Sequence, residues 1–121
     1  MLLSDHGEGL GDHGEREHGL FLYRETIRVP LIVKLPGARD AGHRVTEPVQ
    51  HIDLVPTILE LAGAPRPAGL RGRSLVPALA GRPLPEQGLY AESFYGRYHF
   101  GWSELYALTD GRYRYIRAPR D

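Results

Sequence analysis

Fifteen glycines and ten prolines interrupt this chain of 121 residues, and that punctuation limits what it can fold into. A glycine loosens the backbone, and a proline removes an N–H and fixes φ. Helices are therefore expected to be short and connections many. The length suits one domain's worth of chain. Apolar residues at 41% and charged residues at 25% put a buried core within reach and argue against wholesale disorder.

Several function classes drop out on composition. Fifteen basic residues balance fifteen acidic ones, so charge gives no support to nucleic-acid or general polyanion binding. There is no cysteine, which excludes a disulfide scaffold, a thiolate metal site and a cysteine nucleophile within this chain. No apolar run approaches the ~20 residues of a membrane span, no amphipathic basic helix suggests a membrane surface, and no long apolar leader segment follows Met1. The compartment is not legible.

Met1-Leu2-Leu3 reads as the end of a buried strand, followed by a Gly-rich loop with many acids and histidines to residue 20. Phe21 to Ile27 reads as a short helix. Val29 to Leu35, VPLIVKL, is nearly continuous in apolar character, which suits a parallel-sheet strand covered on both faces. Asp53 to Gly63 is the clearest helix, with Asp53 as cap, Pro56 in the first turn and a broad apolar stripe. Ser74 is placed to cap a second short helix ending at Gly81. The tail is rich in tyrosine. Leu89–Phe94, Glu104–Leu108 and Tyr113–Ile116 read as strands of a small antiparallel sheet, with Asp110-Gly111 as a hairpin turn.

The chemistry gathers at Asp5 and His6, directly after the first strand and before Gly7. In open α/β sheets ligands bind beyond the carboxyl ends of strands, and a carboxylate and an imidazole placed there can reach one cation. The stretch continues through Ser4-Asp5-His6-Gly7-Glu8, Leu10-Gly11-Asp12-His13, His18 and Arg28-Val29-Pro30-Leu31. It goes on through His51-Ile52-Asp53-Leu54-Val55-Pro56-Thr57, Gly72-Arg73-Ser74-Leu75, Tyr90-Ala91-Glu92 and Asp110-Gly111. In this order, over nearly the whole chain, the sequence resembles the sulfatase family of the alkaline-phosphatase-like superfamily.

The resemblance implies an α/β fold: part of an alkaline-phosphatase-like α/β/α sheet over residues 1–82, then a small antiparallel β subdomain over 83–121. It implies a metal-dependent hydrolase of sulfate esters. Asp5 and His6 match metal-ligand positions, and His18 matches the basic residue that contacts the sulfate and assists the reaction there. The family implies Ca²⁺; the imidazole of His6 is a poor Ca²⁺ ligand and a good one for Mn²⁺ or Zn²⁺. The Cys/Ser-x-Pro-x-Arg motif that carries the nucleophile in sulfatases does not occur, nor does the family's N-terminal pair of aspartates. The reading is thus of a later portion that needs an N-terminal part to act and self-associates when alone. A phosphonate or phosphate ester hydrolase of the same superfamily and a non-catalytic remnant are the alternatives.

Other polar residues receive structural readings. His13 orders the loop, Glu15 and Glu17 form a solvated face, and Glu25 pairs with Arg28. His43, His51 and His99 receive no role. Tyr95, Tyr98, Phe100 and Trp102 read as the core of the small sheet, with a substrate entrance as the other reading.

Overall fold

The structure, a computed structural model, describes residues 1–119. Its regular elements are short, as the glycine and proline content requires. In chain order they are strand β1 (Leu2–Leu3), helix α1 (Arg24–Ile27), strand β2 (Leu31–Ile32), helix α2 (Leu54–Leu61), helix α3 (Val76–Leu79), strand β3 (Leu89–Ser93), helix α4 (Tyr95–Phe100), strand β4 (Leu105–Thr109) and strand β5 (Arg114–Arg117). The chain divides into two compact units. One holds Met1–Val33 and the chain from Gly88 onward, the other Lys34–Gln87. The mixture of helices and short sheets fits the expected α/β class. Among the described residues no helix is long and apolar enough to cross a membrane.

In the first unit β1 and β2 pair antiparallel, Leu2 opposite Ile32 and Leu3 opposite Leu31. The expected parallel strand covered on both faces is not formed. Strand β2 is two residues long, and Ile32 is 57% exposed. An apolar run reports what a strand is able to bury, not which neighbour lies beside it, and among the described residues β2 pairs with β1 alone. Helix α1 is shorter than expected. From within it, the Thr26 hydroxyl donates to the carbonyls of Phe21 and Tyr23, folding the preceding residues into a turn.

The tail forms the expected antiparallel sheet in the order β3-β4-β5. Ala107 of the central strand is buried, while Tyr90, Leu108 and Tyr115, aligned across the three strands, are exposed. The turn between β4 and β5 has Gly111 at φ 92°, and the Asp110 carboxylate accepts from the N–H groups of Tyr113 (2.7 Å) and Arg112 (3.1 Å). Those donors hold the Asp110 carboxyl below its ordinary value. A depressed folded value means stability that is present above the ordinary carboxylate value of 3.8 and lost as pH falls from there through the folded value. Asp110→Asn is therefore expected to flatten the acid limb of the melting temperature against pH below about pH 4. A variant whose acid limb overlays the parent's would show that this carboxylate does not anchor the turn.

Between β3 and β4 lies α4, which had no counterpart in the expected strands. Tyr98 N–H donates to the Phe94 carbonyl, and Gly101 (φ 69°) ends the helix in the left-handed region. The aromatic side chains expected as sheet core are instead at the surface: Tyr95 is 44% exposed, Phe100 and Trp102 54%, and Tyr98 77%. A helix inserted between two strands carries its rings off the sheet.

In the second unit a 3₁₀ turn, His51–Asp53, leads into α2. Asp53 does not cap α2 as expected. Its buried carboxylate accepts from the N–H of Gln50 (3.0 Å) and of Arg73 (2.8 Å). Thr57, also buried, donates to the Asp53 carbonyl and accepts from the N–H of Leu75 (2.8 Å). The buried side of α2 is thus Pro56 and Thr57, and the apolar stripe of Val55, Ile58 and Leu61 is largely exposed. Ser74 accepts from Val76 N–H at the start of α3. Leu35, Leu75, Ala78 and Leu84 make this unit's apolar core.

Candidate functional site

Strand β1 stops at Leu3, so Asp5 and His6 are not held to opposite faces of a continuing strand. Asp5 Oδ1 accepts from His6 N–H at 3.0 Å and lies 3.7 Å from His6 Nε2. The Asp5 carboxyl is held below its ordinary value, first by its own backbone N–H and then by the His6 ring. His6 Nδ1 lies 2.9 Å from the Gly7 carbonyl, which can only accept, so this contact puts a proton on Nδ1 and leaves Nε2 as the ring nitrogen on the side of Asp5.

The loop after Gly7 folds back through a short backbone ladder. Gly9 N–H donates to the Glu17 carbonyl (2.7 Å), Leu10 to Arg16 (3.2 Å) and Gly11 to Glu15 (2.8 Å). This register sets residue 18 beside residue 8. The His18 ring stacks on the His6 ring at 3.7 Å between centroids, and its Nδ1 is hydrogen-bonded to Glu8 Oε1. One donor atom from each of His6, Glu8 and His18 lies within 4.8 Å of the others, at the protein surface. With Glu8 engaged by His18, the Asp5 carboxylate and the His6 imidazole are the pair that suits a divalent cation, and the imidazole nitrogen fits a transition metal better than Ca²⁺.

The structure thus brings Asp5, His6 and His18 together and adds Glu8. Glu8 stood within the motif quoted above, but nothing local to it shows that it faces His18; that follows only from the ladder register. His13 lies apart from this cluster. It bonds Glu25 at 2.8 Å and stacks on Tyr23 at 3.9 Å, which ties the loop to the segment that leads into α1. Glu25 therefore pairs with His13 and not with Arg28 as expected. Glu15 departs from the expected solvated face. It is 2% exposed and its carboxylate accepts from the N–H groups of Leu20 (2.7 Å) and Phe21 (3.3 Å).

The architecture is that of the alkaline-phosphatase-like hydrolases. A phosphonate monoester hydrolase from Silicibacter pomeroyi superposes with a TM-score of 0.82 and 31% identity, over 98% of this chain and 26% of that one. Residues 11–120 match the family described as N-sulphoglucosamine sulphohydrolase, C-terminal, so the chain belongs to the sulfatase family and corresponds to its C-terminal part. A Delta 4,5-hexuronate-2-O-sulfatase of Bacteroides thetaiotaomicron is 32% identical over 99% of this chain and 24% of its own length. The multifunctional alkaline phosphatase superfamily protein PehA of Trinickia caryophylli is 46% identical over 69% of this chain and 16% of its own. The chain spans about a quarter or less of the length of these relatives.

Proposed function

We propose that this chain is the C-terminal, site-bearing part of a metal-dependent hydrolase of sulfate esters. In this reading Asp5 and His6 hold a divalent cation, and His18 meets the anionic group of the ester. The observation that carries it is the convergence of Asp5, His6 and His18 at one strand end. Residues 1–82 then belong to the catalytic domain, and 83–121 form its closing antiparallel subdomain. A bound cation supplies positive charge against the ester's oxygens. Glu8 keeps the His18 ring oriented through Nδ1, which leaves Nε2 to face the ester; when protonated, it donates to an ester oxygen. Ca²⁺ is the ion the family resemblance implies, and the imidazoles weigh toward Mn²⁺ or Zn²⁺.

A phosphonate or phosphate monoester is the second reading, favoured by the similarity to a phosphonate monoester hydrolase and to PehA. The chain contains no Cys/Ser-x-Pro-x-Arg nucleophile motif. By itself it is therefore expected to hydrolyse neither an aryl sulfate nor an aryl phosphonate. It is also expected to bind Mn²⁺ and Ca²⁺ no better than on the order of millimolar, since a hard cation takes about six or more ligands. Calorimetric titration and both assays check this; micromolar metal binding or metal-dependent turnover by the chain alone shows that the site is not an incomplete part. In an enzyme that joins this chain to a nucleophile-bearing N-terminal part, His18→Ala should lower turnover at least tenfold and leave metal affinity nearly intact. Unchanged turnover removes His18 from the site, and a preference for the phosphonate over the sulfate ester selects the second reading.

A further inference from the structure

We infer that the outward face of the β3-β4-β5 sheet is a contact surface for a second copy of this chain, met face to face about a two-fold axis along β4. Two cross-strand rows make up this face. In one, Tyr90, Leu108 and Tyr115 stand abreast on β3, β4 and β5, each more than half exposed. In the other, Glu92, Tyr106 and Arg117 stand abreast, with Glu92 and Arg117 exposed on the two outer strands. Phe94 lies edge-on to Tyr106 and stacks on the exposed Tyr98, so apolar cover continues past the charged row at one end. A contiguous apolar face rimmed by charge marks a site of association.

The charges select the occupant. Glu92 and Arg117 are in register with Tyr106 between them, two strand spacings or about 10 Å apart at the backbone. A partner of one charge sign is matched at one edge of this face and repelled at the other. A second copy turned about an axis along β4 exchanges the edges, because its β5 lies over β3 and its β3 over β5. Arg117 of one copy then meets Glu92 of the other at both edges. Tyr90 likewise meets Tyr115, while Tyr106 and Leu108 meet their own counterparts at the axis. That is the self-complementarity an isologous contact requires. Tilting the axis by about 15° from β4 gives the angle of about 30° at which aligned sheets pack. The Tyr90 hydroxyl donates to Glu92 Oε2 at 2.6 Å, which fixes the carboxylate before the partner arrives and lowers the ordering cost. Three short strands cover on the order of 1,000 Å² in total, the lower end of specific interfaces, so the expected dimer is weak, with Kd on the order of tens of micromolar.

Sedimentation equilibrium of the full chain between roughly 5 and 500 µM tests this, and a closed monomer–dimer equilibrium is expected. Glu92→Arg and Arg117→Glu each set like charges against one another at both edges, and each should raise Kd at least tenfold. An equimolar mixture of these two variants matches opposite charges at both edges again, so it should form a mixed dimer at least as tight as the parent's. Leu108→Lys, which brings two like charges together at the axis, should also raise Kd at least tenfold. Ile58→Lys, on the exposed stripe of α2, should leave it unchanged. A chain that stays monomeric throughout, an open series of larger species, a mixture that associates no better than its two components, or loss of the dimer in Ile58→Lys with Leu108→Lys still dimeric each overturns the contact.

Discussion

Asp53→Ala is expected to destabilise the second unit by about 3–5 kcal/mol, enough to unfold a unit with so small an apolar core. The carboxylate is fully buried and serves two segments at once, the turn that opens α2 through Gln50 N–H and the irregular stretch before α3 through the Arg73 backbone N–H. Arg73 Nε also lies 3.9 Å from Asp53 Oδ2. An alanine takes the carboxylate acceptor from both part-buried N–H groups, and each carries its own desolvation cost. The contact exists because Gly72 lets the backbones close in; a Cβ at that position would lie 1.8 Å from the Ile52 carbonyl. Asp53→Asn keeps the shape and offers one acceptor while turning an amide N–H₂ toward the other donor, so it should lose roughly half as much. Urea unfolding followed by far-UV circular dichroism measures both variants. A loss below about 1 kcal/mol for Asp53→Ala would mean that water already serves those donors.

What could be read in the residues depended on how local each feature was. The Asp110-Gly111 turn is specified by two adjacent residues and the N–H groups just after them, and it formed where expected. The proximity of Asp5, His6 and His18 was legible because the first two are neighbours and the third follows a loop that glycines allow to fold back. Glu8 and Glu15 were not legible. Which acid faces a histidine and which turns inward is decided by the pairing of Gly9 with Glu17 and by two N–H groups at Leu20 and Phe21, and no residue pattern encodes that register. Helix α4 was missed because a run of tyrosines and phenylalanines carries strand propensity, and the helix is set by the turns at Phe94 and Gly101. Asp53 looked like a cap of α2 because a carboxylate before an apolar helix has that appearance, while its two oxygens go to Gln50 at the preceding turn and to Arg73 twenty residues on.

Gly7→Ala is expected to dissolve the acid–histidine cluster with a single methyl group. Gly7 N–H donates to the Thr26 carbonyl at 2.8 Å, and this bond draws the strand end against α1. A Cβ on residue 7 would lie 2.0 Å from the Glu25 carbonyl oxygen and 3.1 Å from its carbon. Real contacts of this kind need more than 3 Å, so the two backbones must separate by about 1 Å. The atoms in the way are main chain of α1, which has no rotamer to change, and Glu25 is itself held by His13. Displacement of residue 7 carries His6 and Glu8 with it, since they flank it, while His18 stays anchored through the loop ladder and the Ser93 bond to Gly19. The stack of His6 on His18 and the Glu8–His18 bond are then lost together. We expect a stability loss of about 1–3 kcal/mol from the forced separation and a larger proportional effect on the cluster. In the parent chain each imidazole lies in the shielding field of the other, so its ring protons resonate upfield; in Gly7→Ala they should return to the positions of an unstructured histidine. Mn²⁺ added to the parent should broaden the His6 and His18 resonances before those of His43, His51 and His99, and this order should vanish in the variant. Upfield shifts that survive Gly7→Ala would show that the loop ladder alone holds the two rings together, and that the close approach of strand end and helix is not what assembles the site.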